Sequence, residues 1–142
     1  MTREEILAVL ARKQAAMAGR DFAGIASLYA DACVVESPTA GGLVTGRTAL
    51  ARLEEAWATA FPDLVITSDE PLIDGDRAAQ VVTFEGTDTG VFLGLPPTGK
   101  TFRMPIVVLS TFKDQQIVHE RRIYDFTGFL LQIGVLKAKP AV

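Results

Sequence analysis

Residues 86–100 read GTDTGVFLGLPPTGK, a loop rich in glycine and proline that separates two segments of alternating apolar and polar residues. A period of two is typical of β-strands that bury one face, and such strands end at clusters of glycine and proline. The strands predicted in this half of the chain cover residues 64–68, 77–87, 101–112 and 117–125. The second half is therefore predicted to form an antiparallel sheet.

The first third of the chain carries helical signals instead. Thr2 and Glu5 have the spacing of a capping box, in which a hydroxyl and a carboxylate bind backbone N–H groups at a helix start. Gly19 is predicted to end this helix, and Asp21 is predicted to cap a second one. The apolar residues that recur at helical intervals in the first helix are Ile6, Leu7, Leu10 and Met17.

Three shorter elements complete the predicted fold. We expect a strand at about 33–36, a helix at about 48–60 and a short closing helix at 127–134. Helices followed by antiparallel strands indicate the α+β class, not an alternating parallel sheet. We therefore predict a single domain over residues 1–142, in which a strongly curved sheet, covered by the N-terminal helices, encloses one deep pocket.

Composition argues against several classes of protein. The formal net charge is −3 and no block of like charge is present, whereas a nucleic-acid binder normally shows a basic patch. No stretch approaches the roughly 20 apolar residues of a membrane span, and the acidic start at Glu4 and Glu5 is not typical of a secretory signal. Cys33 is the only cysteine, so no internal disulfide can form and a reducing cytoplasm is the predicted compartment.

Three segments resemble the SnoaL-like polyketide cyclases and their ester-cyclase relatives, within the nuclear transport factor 2-like superfamily. Residues 86–100 are similar to that family's GTHTG…GIPPTGK loop, and residues 113–134 to its DGKIVEEW…D..GLLQQLG ending. Residues 61–64 resemble its FPDL turn. The similarity covers nearly the whole chain and implies a cone-shaped α+β fold. It also implies a homodimer that pairs through the outer face of the sheet.

Asp125 is the main catalytic candidate, because the family's aspartate at this position serves as an acid/base catalyst. An intramolecular aldol closure needs a proton removed from an activated carbon and a proton delivered to a carbonyl oxygen. A carboxylate in an apolar pocket suits the first task, since desolvation raises its pKa. The alternative is that Asp125 only caps the closing helix. This chemistry needs no metal or cofactor, and none is predicted.

Strand alternation divides the last predicted strand into two faces, one of which should line the pocket. Arg121 stands where the family usually has tryptophan. It is expected to pair with Asp125 or Glu36, to bind a ligand oxygen, or to lie exposed at a dimer contact. His119, the only histidine, is a candidate proton carrier, although about 20 Å of extended strand separates it from Asp125 and favours a surface position. One histidine alone cannot build a metal site. The first face carries His119, Arg121, Ile123 and Asp125, and the second carries Glu120, Arg122 and Tyr124.

Aromatic side chains and Glu36 are the predicted substrate-binding residues. Glu36 lies in an apolar run of the first strand and is expected at the pocket mouth or in solvent. Asp88 stands where the family often has histidine, which removes one candidate proton carrier. Aromatic surface suits a flat ligand, and the predicted walls are Trp57, Phe61, Phe84 and Phe92.

Three functions remain open at this level. The first is a cyclase or related acid/base isomerase that acts on a small hydrophobic carbonyl-bearing molecule. The second is a non-catalytic binding or scaffold module with the same fold, and the third is an epoxide hydrolase, dehydratase or ketosteroid isomerase-like enzyme. No nucleic-acid or membrane partner is expected. The face with Glu120, Arg122 and Tyr124 is the predicted dimer contact.

Overall fold

Helix α1 (Arg3–Ala18) begins at the predicted capping box. In the computed structural model, which describes residues 1–138, the Thr2 hydroxyl accepts a hydrogen bond from the Glu5 backbone N–H at 3.1 Å. The Glu5 carboxylate accepts one from the Thr2 N–H at 2.8 Å. These bonds satisfy N–H groups that a helix start leaves without partners. Gly19 follows the last turn, so both predicted ends of this helix are confirmed.

The other helices also begin close to their predicted starts. Helix α2 (Phe22–Ser27) starts at Asp21, whose carboxylate accepts from the Gly24 N–H at 2.9 Å. Helix α3 (Arg47–Ala60) covers the third predicted helix, and α4 (Phe126–Gln132) covers most of the closing one. Within residues 1–138, none of these helices has the length and apolar character needed to cross a membrane.

Seven strands form one sheet: β1 (Tyr29–Ser37), β2 (Gly42–Thr45), β3 (Val65–Ser68), β4 (Leu72–Asp74), β5 (Arg77–Thr87), β6 (Thr101–Lys113) and β7 (Gln116–Tyr124). Their order is β2-β1-β7-β6-β5-β3, and β4 pairs with β5 beside this path. The long strands β5 and β6 pair antiparallel from Arg77↔Thr111 to Thr87↔Thr101. The predicted α+β class and curved sheet are confirmed.

Two features of the sheet were not predicted. Strands β1 and β7 pair in parallel, with Val34 opposite His119 and Glu36 opposite Arg121, so the sheet is not antiparallel throughout. The short strands β2 and β4 were also not predicted, because they are only 4 and 3 residues long and show no clear alternation. A turn of 3-10 helix at Pro38–Ala40 connects β1 to β2.

The inner face of the sheet packs against the helices through two groups of buried side chains. The first group lies under α1 and α2 and includes Ile6, Val9, Ile25, Tyr29 and Phe112. The second lies under α3 and α4 and includes Trp57, Phe61, Phe84, Phe102 and Phe129. Full burial of a side chain of this size contributes about 1.5–3 kcal/mol. The hydrophobic interior therefore holds the helices across the sheet.

Candidate active site

Strand β7 turns Glu120 and Arg122 into the interior. Their exposed fractions are 0% and 6%, whereas Arg121 and Ile123 between and beyond them are exposed. The prediction that the face of Glu120, Arg122 and Tyr124 forms a dimer contact is therefore wrong for the first two residues. Both side chains lie against residues of α1 and α3, where a second protein cannot reach them.

Five polar side chains form one buried network around Glu120. Its Oε1 accepts hydrogen bonds from Lys13 Nζ at 3.2 Å and from Arg122 Nε at 3.1 Å, and its Oε2 accepts one from the Tyr29 hydroxyl. Arg122 also donates from Nη2 to Oε1 of Glu54. Two cations thus face two carboxylates, which is the balance that makes buried charge tolerable.

The network shifts the pKa values of Glu120, Tyr29 and Arg122. Burial alone raises the pKa of Glu120, but the charges of Lys13 and Arg122 and the hydrogen bond from Tyr29 outweigh it and lower the pKa to about 2. Burial, followed by the charge of Glu120, raises the pKa of Tyr29 well above its usual value. For Arg122, burial favours the neutral form, but Glu54 and Glu120 raise its pKa nonetheless. At neutral pH Glu120 is therefore ionised and Arg122 is charged.

Two small cavities meet at Glu54. One, of about 30 Å³, is bounded by the charged network and by apolar side chains such as Leu10 and Val82. The other, also about 30 Å³, lies towards Ile66 and Trp57, and Glu54 and Met17 line both. Each cavity has room for only one or two water molecules. The hydrogen bonds of Glu54 within residues 1–138 use Oε1 alone, so its second oxygen remains available to a ligand.

Gln14 joins α1 to the edge strand β3 beside the first cavity. Its Nε2 donates to the Ile66 carbonyl at 2.8 Å, and its Oε1 accepts from the Ser68 hydroxyl at 2.6 Å. Gln14 and Ser68 both line the cavity. These two bonds therefore close the side of the interior that lies between the helix and the sheet edge.

The structure brings the four predicted wall residues together in one aromatic cluster. The ring of Trp57 lies 5.8 Å from Phe61, 5.1 Å from Phe84 and 4.7 Å from Phe92, measured between centroids. Tyr124 stacks on the same indole at 5.7 Å. The indole Nε1 is buried and has no hydrogen-bond partner among the described residues, although buried polar groups are normally paired.

The three predicted catalytic residues lie apart from this interior. Asp125 is exposed, and its Oδ1 accepts from the Gly128 N–H at 3.0 Å as the N-cap of α4. His119 Nε2 lies 2.9 Å from Glu36 Oε2, and both side chains are partly exposed. Glu36, His119 and Arg121 line a groove bounded also by Leu72 and Leu109. Within residues 1–138 Arg121 forms no ion pair, so the expected pairing with Asp125 or Glu36 is not found there.

Asp88 has a structural place at the base of the loop that follows β5. Its carboxylate accepts from both the N–H and the hydroxyl of Thr98, each at 3.0 Å. Its backbone carbonyl accepts from the Gly99 N–H at 2.8 Å, and its N–H donates to Lys100. The side chain is buried. Asp88 therefore holds the two ends of this loop together.

Sequence reasoning missed Lys13 and Glu54, yet the sequence contains a signal for both. Lys13 lies seven residues after Ile6, on the apolar stripe of α1, and Glu54 lies three residues before Trp57 on the buried side of α3. A charge on the apolar stripe of a helix is rarely buried without a partner. Two such charges of opposite sign indicate an interior ionic network.

The carboxylates of this interior face cations and not a metal-type ligand set. Within residues 1–138, no group of three or more His, Cys, Asp or Glu side chains is arranged to hold a metal ion. Lys13 and Arg122 instead supply the positive charge beside Glu54 and Glu120. The arrangement can stabilise negative charge that develops on a bound molecule.

Comparison with known proteins agrees with this fold. A sequence model of the SnoaL-like polyketide cyclase family matches residues 8–133. AclR of Streptomyces galilaeus, for which a hydroxylase activity has been suggested, is 26% identical with a TM-score of 0.84, over 98% of this chain and 87% of its own. No curated protein matches the sequence significantly.

Two further solved structures show the same architecture. IdmH of Streptomyces antibioticus, for which a polyketide cyclase activity has been suggested, is 26% identical with a TM-score of 0.77, over 89% of this chain and 96% of its own. A protein of Catenulispora acidiphila with a ketosteroid isomerase-like fold has a TM-score of 0.74 at 18% identity, over 89% of this chain and 92% of its own.

Proposed function

Because the chain belongs to the SnoaL-like polyketide cyclase family, we propose that it catalyses acid/base ring closure, or a related isomerisation, on a small hydrophobic carbonyl compound. The observation that carries the proposal is the Glu54 carboxylate, which lies between two interior cavities with one oxygen bound to Arg122. A buried carboxylate with one oxygen held in place and the other open to a cavity is positioned to remove a proton from the carbon beside a carbonyl.

Glu54 and Arg122 take different roles in this proposal. Glu54 removes the proton from carbon, and Arg122 stabilises the negative charge that then develops on the carbonyl oxygen. The protonated Glu54 then delivers this proton to the alkoxide oxygen formed by ring closure, or to a different carbon in an isomerisation, and returns to its carboxylate form. The hydrogen bonds of Arg122 to the described residues use Nε and Nη2, which leaves Nη1 for the substrate. Glu120 is a poor base, since its pKa is lowered to about 2. Its role is to hold Arg122 in place. The proposed chemistry uses only these side chains, without a metal or cofactor.

Asp125 remains the alternative base, on the family resemblance and on its position at the end of β7. It is exposed and bound to the Gly128 N–H, whereas Glu54 is buried beside a cation. The substitution Asp125→Asn separates the two roles of this residue, because asparagine caps a helix about as well as aspartate but cannot accept a proton as a carboxylate does. Loss of activity in this variant would therefore indicate chemistry and not a frayed helix.

The proposal is tested with 2-tetralone, a flat bicyclic ketone with acidic protons beside its carbonyl. Proton NMR in D₂O follows exchange of these protons for deuterium, with and without the protein. We expect protein-dependent exchange that is lost in Glu54→Gln and retained in Asp125→Asn and in Glu55→Gln, a matched change at the exposed neighbour. The reverse pattern would assign the base to Asp125. Absence of exchange with the wild-type protein would count against catalysis on this class of ketone.

A second candidate function is a non-catalytic binding or scaffold module. The observation that favours it is the size of the interior cavities, about 30 Å³ each, which is too small for any bicyclic ketone unless a side chain moves. In that case 2-tetralone undergoes no protein-dependent exchange. An epoxide hydrolase or dehydratase would be favoured by an ion pair between Asp125 and Arg121, and within residues 1–138 Asp125 instead accepts from the Gly128 N–H.

A homodimer that pairs through the outer face of the sheet is also proposed. Val81 pairs with Val107 and Val107 pairs with Ile123 across three neighbouring strands. These three apolar side chains are 38%, 36% and 46% exposed. A continuous apolar row on an outer sheet face is suited to a protein contact.

A cytoplasmic location and a single domain also remain predictions, the first resting on Cys33 as the only cysteine.

A further inference from the structure

The side chain of Phe92 packs against the interior from a loop whose neighbouring side chains are exposed. Its ring lies 4.7 Å from Trp57, 5.1 Å from Phe61 and 5.9 Å from Phe129, measured between centroids. The neighbours of Phe92 in the chain, Val91 and Leu93, are 68% and 54% exposed. One aromatic ring of the loop therefore packs against the buried aromatic cluster under α3 and α4.

The middle of this loop is held to the rest of the protein mainly by that ring. Among the described residues, the only hydrogen bond formed within 90–97 runs from the Leu95 N–H to the Phe92 carbonyl, at 2.9 Å, and it stays inside the loop. The ends are fixed separately, by the bonds between Asp88 and Thr98 and by the close approach of Gly90 to Ala60. Segments with few bonds to the body of a protein open at low free-energy cost.

We propose that the space occupied by the Phe92 ring is the binding subsite for a planar aromatic ring of the ligand, which enters when Phe92 withdraws with its loop. This inference rests on the proposed interior site. It also accounts for how a substrate fits, because the cavities beside Glu54 are too small for a ring system. The Phe92 ring contacts Trp57, which lines one of these cavities, so withdrawal of the ring would enlarge the space beside it.

The walls of the subsite define the class of ligand. Trp57, Phe61 and Phe129 present ring faces and edges in tilted and edge-on arrangements, which favour a flat aromatic guest over an aliphatic one. The Nε1–H of Trp57, which has no hydrogen-bond partner within residues 1–138, belongs to the same cluster. It favours a guest that also carries an oxygen acceptor, because burial of an unpaired donor is costly. The expected ligand is a fused-ring or aryl ketone.

The experiment uses Trp57, the only tryptophan of the chain, as the reporter. Quenching of its fluorescence by 2-acetylnaphthalene gives the dissociation constant for the wild type, Phe92→Ala and Leu93→Ala. If Phe92 competes with the ligand, its removal makes the open state permanent, and the apparent affinity rises by the reciprocal of the open fraction. We expect Phe92→Ala to bind at least tenfold more tightly than the wild type, and Leu93→Ala to bind equally.

Equal or weaker binding by Phe92→Ala would overturn the proposal, since the ring would then be a wall of the site or irrelevant to it. Phe92→Leu keeps apolar packing if the alanine variant is poorly folded, and it should bind with intermediate affinity. Cyclohexyl methyl ketone, which has the carbonyl but no planar ring, should fail to compete. These measurements report binding alone. If Phe92→Ala binds more tightly but the wild type gives no 2-tetralone exchange, only the catalytic proposal is contradicted. If exchange occurs but Phe92→Ala does not bind more tightly, only the proposed Phe92 subsite is contradicted.

Discussion

The Nζ of Lys13 lies 3.2 Å from Oε1 of Glu120, and this buried ion pair joins the first helix to the last strand. The same carboxylate accepts hydrogen bonds from Tyr29 and Arg122. A partner removed from such a site leaves a buried charge uncompensated, which is more damaging than the loss of a surface pair. The consequences for stability can be measured one residue at a time.

The substitution Lys13→Met keeps the length of the side chain and removes its charge. We expect it to lower the free energy of unfolding at pH 7 by about 3 kcal/mol, because Glu120 loses a buried cation. Urea unfolding followed by circular dichroism measures the change. The control is Arg12→Met at the exposed neighbouring position, which should change stability by less than about 0.5 kcal/mol. Equal stability of the two variants would contradict an energetic role for the pair.

Glu120 should make the protein sensitive to acid. Its pKa in the folded state, about 2, lies below its ordinary value of 4.5. The native state therefore favours the ionised form of Glu120 more than the unfolded state does. The resulting stability is fully present above about pH 5 and is lost as the pH falls towards 2. The loss attributable to this group is about 3 kcal/mol. Urea unfolding between pH 6 and 2.5 should show a shallower decline for Glu120→Gln than for the wild type.

Trp57→Phe should be tolerated better than its burial suggests. The substitution loses indole volume but also removes an Nε1–H that has no partner among the described residues, and an unpaired buried donor costs about 1–3 kcal/mol. The two effects oppose each other, so we expect a change in unfolding free energy of less than about 1 kcal/mol. Phe61→Leu, in the same cluster, has no such compensation and should cost more. A larger loss for Trp57→Phe than for Phe61→Leu would indicate a paired indole.

Gly90→Ala should loosen the loop that carries Phe92. A Cβ at this glycine would lie 2.5 Å from the Ala60 carbonyl oxygen, so the backbone must shift. Overpacking of this kind costs about 1–3 kcal/mol, and the Trp57 fluorescence spectrum should change as Phe92 moves. Gly19→Ala provides the comparison, since its Cβ would meet only ordinary van der Waals contacts. Thermal unfolding should separate the two variants.

Val107→Glu tests the proposed dimer. Val107 lies between Val81 and Ile123 on the outer face, and a carboxylate there would be desolvated at a contact between two subunits. Sedimentation velocity at micromolar concentration should show a dimer for the wild type and a monomer for the variant. An unchanged dimer for Val107→Glu would place the contact elsewhere. A wild-type monomer under these conditions would contradict the proposed dimer.

Much of the fold could be predicted from local patterns. The capping box at Thr2 and Glu5 and the cap at Asp21 are short-range signals, and the structure has each of them in place. The alternation in β5 defines its bounds closely, because one face is buried along most of its length. The parallel pairing of β1 with β7 could not be predicted from local patterns, because it depends on contacts between residues about 85 positions apart, such as Val34 and His119.

The candidate site was harder to predict because alternation separates two faces without saying which one is buried. The sequence placed Glu120 and Arg122 on one face of β7 and Arg121 on the other. Which face turns inward is decided by the partners Lys13 and Glu54, which lie on helices distant in the sequence. The aromatic residues were easier, since Trp57, Phe61 and Phe84 are too apolar to remain exposed. Their meeting point with Phe92 still depends on the path of the loop.

The position of β7 between β1 and β6 affects how the protein is made. This interior strand is synthesised after both of the strands that flank it. Until it arrives, β1 and β6 each present an open edge, and Lys13 and Glu54 lack Glu120 and Arg122. A nascent chain that ends before Gln116 therefore exposes unpaired strand edges, which promote aggregation. Completion of the sheet must follow synthesis of β7, and a chaperone that covers those two edges during translation should raise the yield of native protein.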